Sequence, residues 1–216
     1  MTMLVLAGPI GAGKTSLTTI LAQHLQAPAF YESVDDNEIL PLFYENPRKY
    51  AFLLQIYFLN KRLASLRAAT ANPLSVMDRS IFEDSLLFHL NADLGRATAT
   101  EVETYDELLA NMLDQVGEND FQKIPDLLIY VRVSFQTMLE HIQRRGRVFE
   151  QLDNDASLYE YYQELNQRYA SWYANYKLSP KIQIDGDQFD FVNNPADQEV
   201  VLATLDAKIK QIMALD

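Results

Sequence analysis

The sequence has no cysteine and a marked shortage of positive charge. Without cysteine, its 216 residues can form no disulfide, no thiolate metal site and no cysteine nucleophile. Its 18 Lys and Arg face 30 Asp and Glu, a formal charge of -12, which disfavours binding to nucleic acid or to a membrane surface. No apolar run approaches the roughly 20 residues of a membrane-spanning helix. These absences favour a cytoplasmic protein that binds neither partner, and they still permit a small local anion site.

Length and composition indicate one globular domain over residues 1–216, with 48% hydrophobic and 22% charged residues. Short apolar runs alternate with longer stretches of helical period. The runs lack the strict alternation of half-exposed strands, so both of their faces should be buried. The pattern predicts an α/β fold in which a five-stranded parallel sheet is flanked by helices. The predicted strands are residues 3–7, 29–31, 74–77, 127–133 and 181–184.

Two predicted helices have informative boundaries or faces. One begins at a capping box formed by Thr100 and Glu103 and ends at Gly117. The other, residues 47–71, is apolar around much of its circumference. A helix of that kind must bury more than one face, either within the domain or against a second subunit.

The first strand runs directly into a match to the phosphate-loop pattern G-x-x-x-x-G-K-[ST]. Its glycines let backbone N–H groups turn toward phosphate oxygens, and the following helix N-terminus adds a partial positive charge. Lys14 is expected to reach the β and γ phosphates of ATP, and the Thr15 hydroxyl to bind Mg²⁺. We also expect Ser16 to contact ATP. The loop, residues 8–15, consists of Gly8, Pro9, Ile10, Gly11, Ala12, Gly13, Lys14 and Thr15.

A GTPase is a poor fit. The D-x-x-G segment of such proteins occurs here only at residues 114–117, at the end of an amphipathic helix and away from any strand. The base-reading Asn-Lys-x-Asp segment is missing, since Asn60-Lys61 continues as Arg62-Leu63.

Two further predicted strands end in charged residues. Glu32 follows the second strand, and Asp78 and Arg79 follow the third. Ligand sites in doubly wound sheets lie at the carboxyl ends of the strands. Phosphoryl transfer to a hydroxyl needs a proton acceptor, a carboxylate for Mg²⁺ and a cation near the γ phosphate, and these three residues can supply them. The alternatives are a solvated Glu32, an Asp78–Arg79 surface pair, and a segment that only starts a helix through Ser80 and Glu83.

Three arginines, Arg144, Arg145 and Arg147, lie within four residues at a predicted helix end. A mobile basic segment that closes over ATP would exclude water and neutralise the transferring group, so we predict a lid at about residues 144–152. The alternative is a basic helix end that complements the helix dipole. His24, His89 and His141 lack metal-ligand spacing and are interpreted as structural or exposed.

Together these motifs resemble the deoxynucleoside kinase family, and most closely its bacterial deoxyadenosine/deoxyguanosine kinase branch. The resemblance runs from the phosphate loop to residues 184–191, where Asp187 is expected to contact ATP. It implies a P-loop kinase fold with an arginine-rich lid. It also implies that Glu32 takes the proton of the 5'-hydroxyl, that Asp78 serves Mg²⁺, and that Arg79 lies near the reacting oxygen. The role of proton acceptor stays open between Glu32 and Asp78.

The resemblance also implies a nucleoside pocket. Tyr44 and Glu150 would hold the sugar 3'-hydroxyl, and the Gln55 amide would pair with the base edge. Arg62 and Asp84 would form a charged pair at the far side of the base, and Phe88 would stack on it. Judged without the family, Gln55 and Arg62 are only polar positions on one helix face.

The function implied is ATP- and Mg²⁺-dependent phosphorylation of the 5'-hydroxyl of a deoxynucleoside, deoxyadenosine or deoxyguanosine, in nucleotide salvage. Members resembling this chain are homodimers. A nucleoside monophosphate kinase, which would need extra cations for its acceptor, is one alternative. A regulatory module that binds a nucleotide without phosphorylating a substrate is another.

Overall fold

The computed structural model describes residues 2–118 and 124–214 except residues 33 and 35, with side chains described for all of these but residues 115–118. In this part of the chain five parallel strands form one sheet in the order β2-β3-β1-β4-β5. The predicted sheet is therefore confirmed. The strands are β1 (Thr2–Ala7), β2 (Ala29–Phe30), β3 (Leu74–Asp78), β4 (Leu127–Arg132) and β5 (Lys181–Asp185).

The strands at the centre of the sheet are buried on both faces, as their continuous apolar sequences predict. Residues 3–7 of β1 are each no more than 2% exposed. Leu6 pairs with Asp78 of β3 on one side and with Ile129 of β4 on the other. The carboxyl ends of β1 and β3 therefore meet at one edge, and their following residues lie side by side there.

Helices pack on the sheet and on one another, and the buried apolar side chains form one connected cluster. No helix among the described residues combines the length and the apolarity that a membrane span requires. The helices are α1 (Lys14–Leu25), α2 (Ile39–Glu45), α3 (Pro47–Ala69), α4 (Ile81–Asp93), α5 (Ala99–Glu118), α6 (Phe135–Arg145), a short 3-10 helix (Val148–Glu150), α7 (Leu158–Asn175) and α8 (Pro195–Met213).

The start and end of α5 differ from the prediction. Thr98 and Glu101 form the capping box: the Thr98 N–H donates to Glu101 at 2.7 Å, and the Glu101 N–H donates to the Thr98 hydroxyl at 3.3 Å. Gly117 lies within the helix, which ends at Glu118. Both threonines have a glutamate three residues later, so the capping pattern fits two positions, and the earlier one yields the longer helix.

Candidate active site

A cavity of about 770 Å³ opens at the carboxyl edge of the sheet. Residues 10–16, from the phosphate loop and the start of α1, line one end, and residues of α2, α3 and α4 line the other. Gly8 and Pro9, the first two residues of the loop, do not line the cavity. Five cations of the described residues line this one cavity, which explains how an acidic protein offers an anion site. They are Lys14, Arg79, Arg144, Arg145 and Arg147.

The phosphate loop has the tight backbone that its glycines predict. Gly8 has a φ of +146°, and a Cβ there would lie 2.6 Å from the Val131 carbonyl oxygen. Gly13, with a φ of +91°, lies directly before α1 and under the ring of Phe191. Side chains at these positions would block the close approach of the backbone, so the loop requires glycine at both.

Lys14 is buried and its Nζ donates to the Pro9 carbonyl at 2.8 Å. Burial, together with the charge of Arg79, lowers the pKa of Lys14 from 10.5 to about 8. The ammonium group is thus largely charged near neutral pH but poorly solvated, a state that a phosphate oxygen relieves. Lys14 and Thr15, two of the loop residues predicted to bind ATP, both line the cavity.

The Thr15 hydroxyl donates to Asp78 Oδ2 at 2.5 Å. Asp78 is 3% exposed, and its other oxygen, Oδ1, is buried and accepts no hydrogen bond from any described residue. The two residues predicted to serve Mg²⁺ are therefore adjacent, although they belong to α1 and β3. A hydroxyl and a carboxylate with a spare oxygen are ligands of the kind that Mg²⁺ prefers.

Glu32 lines the cavity between two arginines. Its Oε1 lies 2.9 Å from Arg62 Nη2 and 2.9 Å from Arg79 Nε. Burial alone would raise the pKa of Glu32, but the charges of Arg79, Arg62 and Lys14 outweigh it and lower the pKa from 4.5 to about 2. The carboxylate is therefore ionised at any physiological pH.

Arg79 lines the cavity beside Glu32. Its φ is +80°, a left-handed conformation that bulky residues rarely adopt, and its N–H donates to the Leu6 carbonyl at 2.8 Å. The Arg79 Nε–H is close to Glu32 but not aligned with it as a hydrogen bond. Strained backbone of this kind is concentrated at functional sites.

Three residues predicted for the nucleoside pocket lie behind the cavity wall. Arg62 pairs with Asp84 at 3.3 Å and donates to the Asp78 carbonyl at 3.0 Å, so its side chain supports Glu32 and the end of β3. Phe88 is fully buried, with its ring 4.9 Å from that of Tyr105. The structure brings neither the Arg62–Asp84 pair nor Phe88 to the cavity surface.

Two residues predicted for the nucleoside pocket do line the end of the cavity formed by α2, α3 and α4. Gln55, on α3, is 3% exposed, and its Oε1 is buried without a partner among the described residues. Tyr44, on α2, lies close to Glu150, and its ring is 5.1 Å from that of Phe149. An unpaired buried amide oxygen costs free energy unless a ligand donates to it, so Gln55 is arranged to read a polar edge.

Part of the wall around Gln55 was not predicted from the sequence. Leu54, Phe58, Leu87, Asn91 and Tyr161 line the cavity around Gln55. Their helical spacing shows only that they are buried, and it does not distinguish a side chain facing a cavity from one facing the core.

Two of the three arginines of the predicted lid contact Glu150, which is 3% exposed. Arg145 makes a short contact with it, and Arg147 Nη1 lies 3.6 Å away. His141, interpreted from sequence as structural or exposed, lines the cavity, and its Nδ1–H donates to the Gly11 carbonyl at 2.7 Å. This hydrogen bond joins α6 to the phosphate loop. The spacing of the three histidines in the sequence does not predict it.

Asp187 does not line the cavity. It accepts from Arg132 at 2.6 Å and from the Ser134 N–H at 2.9 Å, bonds that hold the chain after β5 against that after β4. Its neighbours, Gly186 and residues 189–193, line the cavity. The predicted contact of Asp187 with ATP stays a prediction, and in this structure its side chain holds two loops together beside residues that line the cavity.

Comparisons with known proteins agree with this geometry. The model of the deoxynucleoside kinase family matches residues 4–210. A deoxyguanosine kinase of Lactobacillus johnsonii is 54% identical over 98% of this chain and 94% of its own. A deoxyadenosine kinase of Lactobacillus acidophilus is 51% identical over 97% of each chain. The solved structure of deoxyadenosine kinase from M. mycoides with bound dATP has a TM-score of 0.78 at 26% identity, covering 95% of this chain and 100% of that one.

Proposed function

Because the chain belongs to the deoxynucleoside kinase family, we propose that its preferred substrates are deoxyguanosine and deoxyadenosine. The enzyme is an ATP-dependent kinase that phosphorylates the 5'-hydroxyl of a deoxynucleoside. The observation that carries the proposal is a single cavity joining a phosphate loop to an apolar pocket that holds an unpaired amide. Relatives named for either purine nucleoside, at 54% and 51% identity, support the choice of base.

ATP binds at the phosphate-loop end. The loop N–H groups and Lys14 contact the β and γ phosphates, while residues 186 and 189–193 provide further cavity lining for the donor nucleotide. The predicted lid adds further positive charge to the cavity through Arg144, Arg145 and Arg147. This arrangement concentrates donors where the charge of the transferring phosphoryl group develops.

We also propose that the enzyme uses Mg²⁺. Thr15 Oγ1 and the unpaired Asp78 Oδ1 are the atoms that would hold it, together with phosphate oxygens and water. When bound, the ion neutralises charge on the phosphates. The described residues hold no cluster of three or more acidic or histidine ligands, in keeping with a metal bound largely through the nucleotide.

Glu32 accepts the 5'-hydroxyl proton in this proposal. The oxygen then forms a bond to the γ phosphorus, the bond from that phosphorus to the β–γ bridging oxygen breaks, and ADP leaves with the electron pair. Glu32 faces the cavity, whereas Asp78 lies outside its wall and already accepts from Thr15, which supports Glu32 over Asp78. Arg79, 2.9 Å from Glu32, lies where it can contact the transferring group.

The nucleoside occupies the pocket formed by α2, α3 and α4. Leu54, Phe58 and Leu87 give it apolar walls, and Gln55 offers one donor and one acceptor to the base edge. Tyr44 and Glu150, which lie close together, would hold the sugar; burial raises the pKa of Tyr44 and keeps its hydroxyl protonated. That hydroxyl can donate to the 3'-oxygen of the sugar.

We further propose a cytoplasmic homodimer. The α3 helix exposes Leu53, at 47%, and leaves Phe52, Ile56 and Tyr57 only half-buried. This apolar face supports the helical interface expected from the family resemblance. The absence of cysteine is compatible with a reducing compartment.

Rates of monophosphate formation with ATP and each of the four deoxynucleosides test the substrate proposal, with dTMP as a fifth acceptor. We expect the highest kcat/KM for deoxyguanosine or deoxyadenosine and no product from dTMP. A preference for thymidine would overturn the purine assignment. Activity with dTMP alone would make the protein a nucleoside monophosphate kinase.

A further inference from the structure

Arg79 has an unfavourable backbone conformation, and contacts of its side chain hold it in place. Its φ of +80° is strained, yet its side chain is 4% exposed and fixed beside Glu32. A strained residue persists only where its surroundings over-determine it. The residues that do so on the side away from the cavity are Tyr169 and Glu83.

Tyr169 lies on α7, fully buried and outside the cavity wall. Its hydroxyl oxygen accepts a short hydrogen bond from Arg79 Nη1 and also interacts with the Glu83 carboxylate. Since a carboxylate can only accept, the hydroxyl donates to Glu83. Burial raises the pKa of Tyr169 well above its usual value, so the hydroxyl keeps the proton that this donation needs.

Glu83 connects the same group to the phosphate loop. Its carboxylate accepts from the Gly8 N–H at 3.2 Å and from the Ser80 N–H at 2.7 Å, and it lies 3.7 Å from Arg79 Nη1. The capping box that the sequence predicts at Ser80 is present, but the Glu83 carboxylate does more than cap α4. It joins the first glycine of the phosphate loop to the side chain of Arg79.

We propose that Tyr169 and Glu83 are positioning residues for phosphoryl transfer, which fix the Arg79 guanidinium relative to the phosphate loop. The proposal rests on the role assigned to Arg79 in the proposed function. Neither residue faces the cavity, so neither touches a substrate there. Their effect reaches the reaction through Arg79, whose guanidinium must keep its place while the phosphoryl group moves between donor and acceptor.

The experiment compares Tyr169→Phe with Tyr176→Phe, a matched control. Tyr176 lies at the end of the same helix and is 6% exposed, and its hydroxyl bonds to Ser179 at 2.9 Å, away from the cavity. We expect Tyr169→Phe to lower kcat by about 10- to 100-fold, since a small misplacement of a catalytic group has effects of this size. KM for ATP and for deoxyguanosine should stay within about threefold of wild type, because the binding contacts remain. The control should keep the wild-type kcat.

A double-mutant cycle separates positioning from stability. If Tyr169 acts through Arg79, Tyr169→Phe should have little further effect on kcat in an Arg79→Lys background. Additive losses, or a Tyr169→Phe enzyme with wild-type kcat, would overturn the proposal. Glu83→Gln breaks the same connection at its other end and should reproduce the kcat loss, so the idea stays testable if Tyr169→Phe does not fold. A fully active Arg79→Lys enzyme would instead refute the proposed role of Arg79 itself.

Discussion

Replacing Glu32 by glutamine removes one charge and almost no volume, and it should affect both catalysis and stability. If Glu32 is the proton acceptor, kcat should fall by about 10²- to 10⁴-fold, the usual contribution of a general base. KM for ATP should change little, because the phosphate loop makes its contacts without Glu32.

The effect on stability follows from the pKa of Glu32. Burial raises this pKa, but the charges of Arg79, Arg62 and Lys14 outweigh burial and lower it from 4.5 to about 2; at about 1.36 kcal/mol per unit, the ionised carboxylate gives the fold a net stabilisation of about 3 kcal/mol. The folded-state pKa is the lower one, so this contribution is complete above about pH 4.5 and is lost as the pH falls toward 2. Glu32→Gln should therefore be less stable than wild type at pH 7, with a difference that shrinks in acid.

Steady-state kinetics and urea denaturation of both proteins, at pH 7 and at several values below 4.5, measure the two effects. A variant with kcat within a few fold of wild type would move the proton-acceptor role to Asp78. A variant as stable as wild type at pH 7 would contradict the net benefit of placing Glu32 between Arg62 and Arg79. Because Glu32 is ionised well above pH 2, a rate loss between pH 5 and 7 in the wild type must come from another group.

Three further outcomes follow from the site and from α3. Gln55→Leu should raise KM for deoxyguanosine about 5- to 100-fold in steady-state assays, the range expected when a buried hydrogen bond is lost, and leave KM for ATP unchanged; an unaltered KM would exclude Gln55 from base binding. Asp78→Asn should raise the Mg²⁺ concentration that gives half-maximal rate, measured by titration at fixed ATP, and an identical titration curve would remove Asp78 from the metal site. Leu53→Glu should halve the molar mass seen by light scattering, whereas Val200→Glu, at the similarly exposed Val200 of α8, should not; a wild-type mass for both would place the dimer contact elsewhere.

The sheet and the phosphate loop are predictable because their signals are local. Uninterrupted apolar runs mark buried parallel strands, and the loop motif lies between one such strand and a helix. The adjacency of Glu32 and Arg79 follows from a topological rule, since parallel strands bring their carboxyl ends to one edge. No distance between these residues could be derived from sequence, but their convergence could.

The sequence does not determine which way the side chains of a buried helix point. On α4, Leu87 and Asn91 line the cavity, whereas Phe88 packs against Tyr105. All three are buried positions of the same helix. The role of Tyr169 was not predicted for a related reason. A tyrosine at helical spacing is typical of a core residue, and its hydrogen bond to Arg79 joins residues 90 positions apart. Asp187 lies in a segment that lines the site, but neighbouring arginine and serine groups turn its carboxylate away.

A crystal structure with deoxyguanosine, ADP and Mg²⁺ would show directly whether Glu32 is the proton acceptor. We expect the nucleoside in the cavity, with its 5'-oxygen within about 3.2 Å of the Glu32 carboxylate and its base edge on the Gln55 amide. A 5'-oxygen bound to Asp78 instead, or a nucleoside bound outside this cavity, would contradict it.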